Sequence, residues 1–177
     1  MIISWQKKEN FTIKSKNKTV KLGEQVMLGE LKIVSPGEYE SGGVQVEVID
    51  GITEVLSERI TVCWIKKGKI FSDQELERLN GVNVLLIGVG GGEFTEAKTA
   101  LDIINQIEPQ VVIPMFTDNL DSFLKAEGQT HETMDQYKFS YADLPAEQRK
   151  IVVLDPSTGS GQAPSMGSTS SPQASSE

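Results

Sequence analysis

The sequence predicts a layered mixed α/β sandwich. In the first half of the chain, short segments rich in Val, Ile and Thr are separated by Gly, Asn or Pro, which is typical of antiparallel strands. In the second half, apolar strand-like runs alternate with segments of helical periodicity. This alternation predicts a βαβ unit, in which the two strands are parallel and the crossover is right-handed.

The first half is predicted to contain a series of short strands. Their sequences are MIISW, FTIKSK, KTVKLG, QVMLG, LKIVS, VQVEVID and RITVCWI. In VQVEVID, the apolar residues Val44, Val46 and Val48 alternate with Gln45 and Glu47. Such alternation indicates one buried face and one solvent-facing face, as antiparallel sheets commonly have.

Helix start and stop signals divide the second half. Ser72 and Glu75 form a predicted capping box that opens a first helix. The apolar run NVLLIGV predicts a strand covered on both faces, and Thr95 is the predicted N-cap of a second helix. After the strand VVIPM, Asp118 is predicted to cap a third helix that Gly128 ends. KIVVLD is predicted as the last strand.

Composition narrows the classes of function. The chain has 177 residues and a formal net charge of −8, which disfavours nucleic acids and anionic membranes as partners. Cys63 is the single cysteine and lies in an apolar run, so we expect a buried structural thiol in a reducing compartment. No apolar run reaches the length of a membrane span, and no secretion leader precedes the first strand. These features predict a cytoplasmic protein.

Residues 1–155 are predicted to form one folded domain and residues 156–177 a disordered tail. The tail sequence, PSTGSGQAPSMGSTSSPQASSE, contains no Leu, Ile, Val or aromatic residue. Such a segment cannot bury enough apolar area to offset the entropy of an ordered chain.

The stretch LLIGVGGGEF raises the question of a phosphate-binding loop. Gly88 and Gly90 fit the start of the dinucleotide pattern G-x-G-x-x-G, but Glu93 stands where the third glycine belongs. A carboxylate there would face the phosphates, and no lysine completes the alternative P-loop pattern. We therefore interpret the glycines as a sharp backbone turn and not as a nucleotide site.

Three collinear stretches resemble one family. LLIGVGGGEFTEAKTALDIINQIEPQVVIPM, VSPGEYESGGV and DLPAEQRKIVVL are similar to segments of the bacterial Zn-dependent hydrolases of the metallo-β-lactamase fold. The resemblance covers most of residues 1–154. It implies a shortened αββα-type sandwich and, in working members, a metal-dependent hydrolase with its site at the sheet edges.

The ligands that this resemblance implies are missing. A two-metal hydrolase needs several imidazoles and a bridging carboxylate, whereas His131 is the single histidine. Lys8 stands at a family histidine position, Lys67 at that of the bridging aspartate and Phe116 at that of the final histidine. The H-x-H-x-D-H segment is absent as well. The sequence predicts neither a zinc site nor a catalytic residue at these degenerate positions.

Three functions stay open. The first is a non-catalytic member of the fold with a structural, binding or regulatory role, and the second is a metal-dependent hydrolase with a rebuilt or subunit-completed site. The third is a binder of small anions in the vacated cleft, with Lys66 near the loop amides. The candidate binding edge consists of Gly90, Gly91, Gly92, Lys66, Glu38 and Asp118. Glu38, Glu40, Asp118 and Asp121 could offer oxygens to Mg²⁺ or Ca²⁺, but we favour structural roles for them as a helix cap, a first-turn residue and outward strand positions. An exposed sheet edge could support a homo-oligomer or a protein partner.

Overall fold

A computed structural model of the chain describes residues 1–49, 51–79, 81–117, 120–128, 130–155 and 157. The elements, in chain order, are β1 (Ile2–Trp5), β2 (Phe11–Ser15), β3 (Lys18–Leu22), β4 (Val26–Leu28), β5 (Leu31–Ile33), β6 (Gly37–Ser41), β7 (Val44–Ile49), β8 (Ile52–Ser57), β9 (Ile60–Ile65), α1 (Asp73–Arg78), β10 (Val84–Gly88), α2 (Ala97–Ile107), β11 (Val111–Met115), α3 (Asp121–Glu127), β12 (His131–Met134), β13 (Gln136–Lys138), a 3₁₀ turn (Tyr141–Asp143) and β14 (Lys150–Leu154).

Six strands form the first sheet, in the order β13-β1-β2-β3-β4-β5. All of its pairings are antiparallel. Side chains alternate across it, so that Ile3 and Ile13 are fully buried while Lys14 and Lys21 are exposed. The predicted antiparallel first half is confirmed in this sheet.

Eight strands form the second sheet, in the order β12-β14-β11-β10-β9-β8-β7-β6. The pairings from β6 to β9 are antiparallel. The pairings from β9 through β10, β11 and β14 to β12 are parallel. The predicted βαβ unit is confirmed, because α2 connects the parallel neighbours β10 and β11. The carboxyl ends of these parallel strands meet at one edge.

Two apolar cores separate three layers. One core lies between the sheets and includes Phe11, Val62 and Trp64. The other lies between the eight-stranded sheet and the helices, where Ile104 and Phe123 are fully buried. In the described part of the chain, every helix packs on the eight-stranded sheet. The predicted α/β sandwich is confirmed in a shortened form, with the six-stranded sheet left as an outer layer.

The helix boundaries test the capping predictions. The backbone N–H of Ser72 donates to Glu75 Oε2 at 2.9 Å, so the predicted capping box is confirmed. The prediction for Thr95 is wrong, since Glu96 is the N-cap of α2 and Thr95 Oγ1 instead accepts the Gly68 N–H at 2.9 Å. Gly128 ends α3 in the left-handed region, as predicted. Asp118 lies outside the described residues.

Several other features bear on the sequence predictions. Strands β8, β12 and β13 were not predicted, and His131 begins the edge strand β12. Cys63 is fully buried, as expected. Apart from residue 157, the predicted tail falls outside the described residues. No helix in the described ranges is long and apolar enough to cross a bilayer.

Candidate functional site

The candidate site lies where three neighbouring parallel strands end. Lys66 and Lys67 follow β9, the glycine loop (residues 90–92) follows β10, and Phe116 follows β11. Parallel strands place such segments side by side, and ligands of α/β sheets commonly bind beyond their carboxyl ends. The turn between β1 and β2 reaches the same edge, since Trp5 contacts Phe116.

The glycine loop is a tight turn whose amides are partly used within the loop. Gly90, Gly91 and Gly92 have φ values of 106°, 80° and 66°, which favour glycine. The N–H of Gly91 donates to the Thr95 carbonyl at 3.0 Å, so it does not point freely to a ligand. Gly88 just before the loop is required by close packing, because a Cβ there would lie 2.1 Å from the Lys66 carbonyl oxygen.

Lys66 joins two carboxylates at this edge. Its Nζ lies 3.1 Å from Glu9 Oε1 and 3.1 Å from Glu93 Oε2. Hydrogen bonding to Glu9 and then to Glu93 raises the pKa of Lys66. Burial raises the pKa of Glu9, but the hydrogen bond from its own backbone N–H and the contact with Lys66 together lower it by more. The net pKa therefore lies below the ordinary value. Lys66 is therefore an internal counter-ion and stays protonated at physiological pH.

Glu9 is the buried member of this group. Its side chain is only 7% exposed, and the indole N–H of Trp64 donates to its backbone carbonyl at 3.2 Å. Glu9 Oε2 is buried and has no hydrogen-bond partner among the described residues. A buried carboxylate is costly without a cation beside it, so Lys66 compensates for the charge at this position.

Lys67 and Phe116, two of the predicted degenerate positions, make contacts unlike those of metal ligands. Lys67 Nζ donates to the Gly92 carbonyl at 2.8 Å and so closes the glycine loop. The Phe116 ring packs on Trp5 with a centroid separation of 4.9 Å. Neither a protonated amine nor a phenyl ring can ligate Zn²⁺.

Lys8, the third degenerate position, lines a cleft beside this ring pair. The indole N–H of Trp5 donates to the Lys8 carbonyl at 2.7 Å. The cleft has a volume of about 380 Å³ and is also lined by Phe116, Thr117 and Asp155. Thr117 also lines a second cleft of about 540 Å³ that is formed by the glycine loop. The edge thus contains open space, and the described side chains around it are cationic, apolar and hydroxyl groups with the carboxylates of Asp155 and Glu93.

The described residues do not fit the zinc that the resemblance implies. Within the described ranges, no group of three or more His, Cys, Asp or Glu side chains could hold a metal ion. His131 lies on the outermost strand of the eight-stranded sheet. Burial raises the pKa of Cys63 well above its usual range, which keeps the thiol protonated. Since no such group of side chains lies within the described ranges, the described carboxylates also form no oxygen-ligand site for Mg²⁺ or Ca²⁺.

The predicted binding edge is only partly brought together. Gly90, Gly91, Gly92 and Lys66 do lie at one edge, but Lys66 contacts a carboxylate and not the loop amides. Glu38 lies on β6, four strands from β10 in the sheet, and does not join them. Asp118 is outside the described residues.

The sequence analysis missed Glu9 as a member of the site. Its one signal is a carboxylate placed just before the apolar strand that begins at Phe11. Glu93 was noticed only as an obstacle to nucleotide binding. Their association through Lys66 joins residues that are far apart in the sequence, so that no local pattern reveals it.

Comparisons with known proteins give one matching family model and several similar structures. A family model described as a beta-lactamase superfamily domain matches residues 4–116, more than half of the chain. A candidate Zn-dependent hydrolase of the metallo-beta-lactamase superfamily from Thermotoga maritima has a TM-score of 0.73 at 21% identity, over 87% of this chain and 98% of that one. This likeness shows the fold. A comparison with curated proteins gives no match.

Two further solved structures are more distantly similar. The metallo-beta-lactamase fold protein YhfI from Bacillus subtilis has a TM-score of 0.45 at 8% identity, over 68% of this chain and 51% of that one. A diphosphatase of the PhnP family has a TM-score of 0.42 at 14% identity, over 69% and 45% of the two chains.

Proposed function

This chain belongs to the beta-lactamase superfamily, and we propose that it is a non-catalytic member of that superfamily. We propose for it a structural, binding or regulatory role. The single observation that carries the proposal is the position of Lys66 between Glu9 and Glu93. An ammonium group supplies the positive charge at this edge, where working relatives are expected to bind metal.

Electrostatics supports this proposal. A divalent cation brought to the edge would meet the charges of Lys66 and Lys67, and like charges at short range repel more strongly where water is scarce. The carboxylate best buried for metal binding, Glu9, is already bonded to Lys66 through Oε1. Displacing Lys66 by a metal would separate this ion pair, and the remaining neighbours offer no imidazole in compensation.

The test measures metal content and hydrolysis on the same sample. Untagged protein is loaded with Zn²⁺ or Mn²⁺, passed through a desalting column and analysed by mass spectrometry for bound metal. It is then assayed with phosphodiester, lactam and thioester substrates beside an active zinc β-lactamase. We expect substoichiometric metal and no turnover above buffer. Stoichiometric metal, with turnover that a chelator abolishes, would contradict the proposal.

A rebuilt hydrolase site is the second candidate, and one observation favours it. Asp155 lines the same cleft as Lys8 and Phe116, so a carboxylate does reach two of the degenerate positions. The backbone N–H and hydroxyl of Ser157 donate to Asp155 Oδ1 at 2.8 and 2.7 Å and lower its pKa. If this site is active, Asp155→Asn abolishes turnover and the surface variant Asp102→Asn does not.

The anion-binding alternative has less support. Lys66 is engaged by two carboxylates, and Lys67 donates to a carbonyl. An anion that paired with either ammonium group would compete with one of these contacts. Titration calorimetry with inorganic phosphate tests it directly, and we expect no saturable heat for the wild type or for Lys67→Met.

A further inference from the structure

The outer side of the eight-stranded sheet carries a row of carboxylates, which we call the acidic face (Glu38, Glu40, Glu47 and Glu54). Glu38 lies directly opposite Glu47 in the β6–β7 pairing, and Glu47 lies directly opposite Glu54 in the β7–β8 pairing. Like charges directly opposite each other destabilise a sheet. Among the described residues, the acidic face contains no lysine or arginine at its strand positions, although Arg78 of α1 flanks it.

The acidic face is concave and partly apolar. Its four glutamates line a cleft of about 450 Å³ together with Leu56, which is 41% exposed. A neighbouring depression is lined by Ile49 and Ile52. This combination of carboxylates and apolar surface fits the side chain of a lysine, which has an apolar stem and a charged end.

The outer side of the six-stranded sheet has the opposite charge, and we call it the basic face (Lys14, Lys21, Lys32 and Lys138). All four lysines are exposed, and none forms an ion pair with a residue that the structure describes. The other outward positions of the described strands of this sheet are Ile2, Ser4, Thr12, Thr19, Met27 and Gln136, with no carboxylate among them. A purely basic face is unexpected in a chain of net charge −8.

The two faces lie on opposite sides of the sandwich, because they are the outward sides of its two sheets. We propose that the basic face of one copy docks on the acidic face of a second copy. Such a contact joins two different surfaces and is therefore heterologous, so that it extends into open chains or closes as a ring. Charge complementarity selects the second copy as the occupant, since one molecule presents both surfaces.

The contact is expected to be weak. Three strands about 4.8 Å apart and about five residues long give the acidic face an area of roughly 200–250 Å². Stable interfaces bury about 800 Å² on each partner. The net charge of −8 also opposes association at long range. We therefore expect reversible self-association that appears only at high protein concentration and is lost at about 1 M salt, where charges are screened beyond about 3 Å.

The test uses two charge-reversal variants of the full chain. Glu38→Lys/Glu47→Lys leaves two lysines and two glutamates on the acidic face and so removes its net charge, and Lys14→Glu/Lys21→Glu does the same to the basic face. Analytical ultracentrifugation at about 0.1 M salt should show a sedimentation coefficient that rises with concentration for the wild type and stays at the monomer value for each variant. An equimolar mixture of the two variants should regain the rise, because opposite faces then meet.

The control variants each carry one charge reversal away from both faces. Lys98→Glu and Asp102→Lys alter exposed positions of α2 and should associate like the wild type. Circular dichroism verifies that every variant is folded. A wild type that stays monomeric at all concentrations would overturn the inference, and so would variants that associate alone or a mixture that stays monomeric. Neither face includes Lys66 or Glu93, so this result is independent of the proposed loss of catalysis.

Discussion

Glu54 makes the folded state sensitive to pH, and replacing it with glutamine should stabilise the protein. Burial and, to a smaller extent, the charge of Glu47 raise the pKa of Glu54 from 4.5 to about 7, although Arg78 opposes this rise. Cys63 on β9 lies directly opposite, and Glu75 of α1 lines the same cleft. No cation on a neighbouring strand pairs with this carboxylate, so Glu54→Gln removes a charge that the fold poorly accommodates.

The sign follows from the proton balance. The folded state holds the proton of Glu54 more tightly than the unfolded chain does. Below about pH 4.5 Glu54 is protonated in both states, so it leaves the free energy of unfolding unaffected there. Stability falls between about pH 4.5 and about pH 7 and stays lower above that range. A rise from 4.5 to about 7 corresponds, at about 1.36 kcal/mol per pH unit, to at most about 3 kcal/mol. Partial exposure and solvent screening reduce this to about 1–2 kcal/mol.

The assay is urea unfolding followed by tryptophan fluorescence, at pH values from about 4 to 8 and at low protein concentration. Glu54→Gln should exceed the wild type in free energy of unfolding by about 1–2 kcal/mol at pH 8 and match it near pH 4. The control Glu77→Gln removes an exposed carboxylate of α1 and should change neither value by more than about 0.5 kcal/mol. Equal stability of Glu54→Gln and wild type at pH 8, or a difference that grows as the pH falls, would refute the reasoning.

Three further predictions concern the buried groups. Lys66→Met should lower the free energy of unfolding by about 2–3 kcal/mol in urea titrations, because it leaves the buried carboxylate of Glu9 without a cation. The control Lys67→Met should lower the free energy of unfolding by less than about 1 kcal/mol. Adding Glu9→Gln to Lys66→Met should recover part of the loss, because it removes the unpaired charge. Gly88→Ala should lower the melting temperature strongly or prevent folding, since the new Cβ would collide with backbone 2.1 Å away, and a normal melting temperature would contradict this packing. Cys63 should react with a thiol reagent only after unfolding, because burial raises its pKa, and rapid labelling of the native protein would contradict that burial.

The parts of the fold predicted from sequence are those with strong local patterns. The β10-α2-β11 unit combines two continuous apolar strands with a one-sided helix, and its connection follows from general handedness. Strand β8 was missed because Glu54 and Thr53 interrupt its apolar pattern. Strand β12 was missed because HETM is polar, and only pairing with β14 makes it a strand. In both cases tertiary pairing overrides a weak local preference.

The absence of the family's metal ligands could be predicted from the sequence, but the contacts that the side chains at this edge form could not. The identity of Phe116 and the presence of one histidine are visible in the sequence, so the missing ligand set could be deduced directly. The ion pair between Lys66 and Glu9 could not, because it depends on how the β1–β2 turn lies against the end of β9. The Thr95 error has a similar cause, since the hydroxyl bonds to Gly68 and not to the start of its own helix.

The position of β14 governs when the molecule can fold during synthesis. This strand follows all the others in the chain, yet it lies inside the eight-stranded sheet, between β11 and β12. Until residues 150–154 have left the ribosome, β12 has no neighbour to pair with, and the side of β11 that later receives β14 stays open. The eight-stranded sheet of the nascent chain therefore has a gap until β14 is made, and a chain stopped before β14 would expose that gap to any strand nearby.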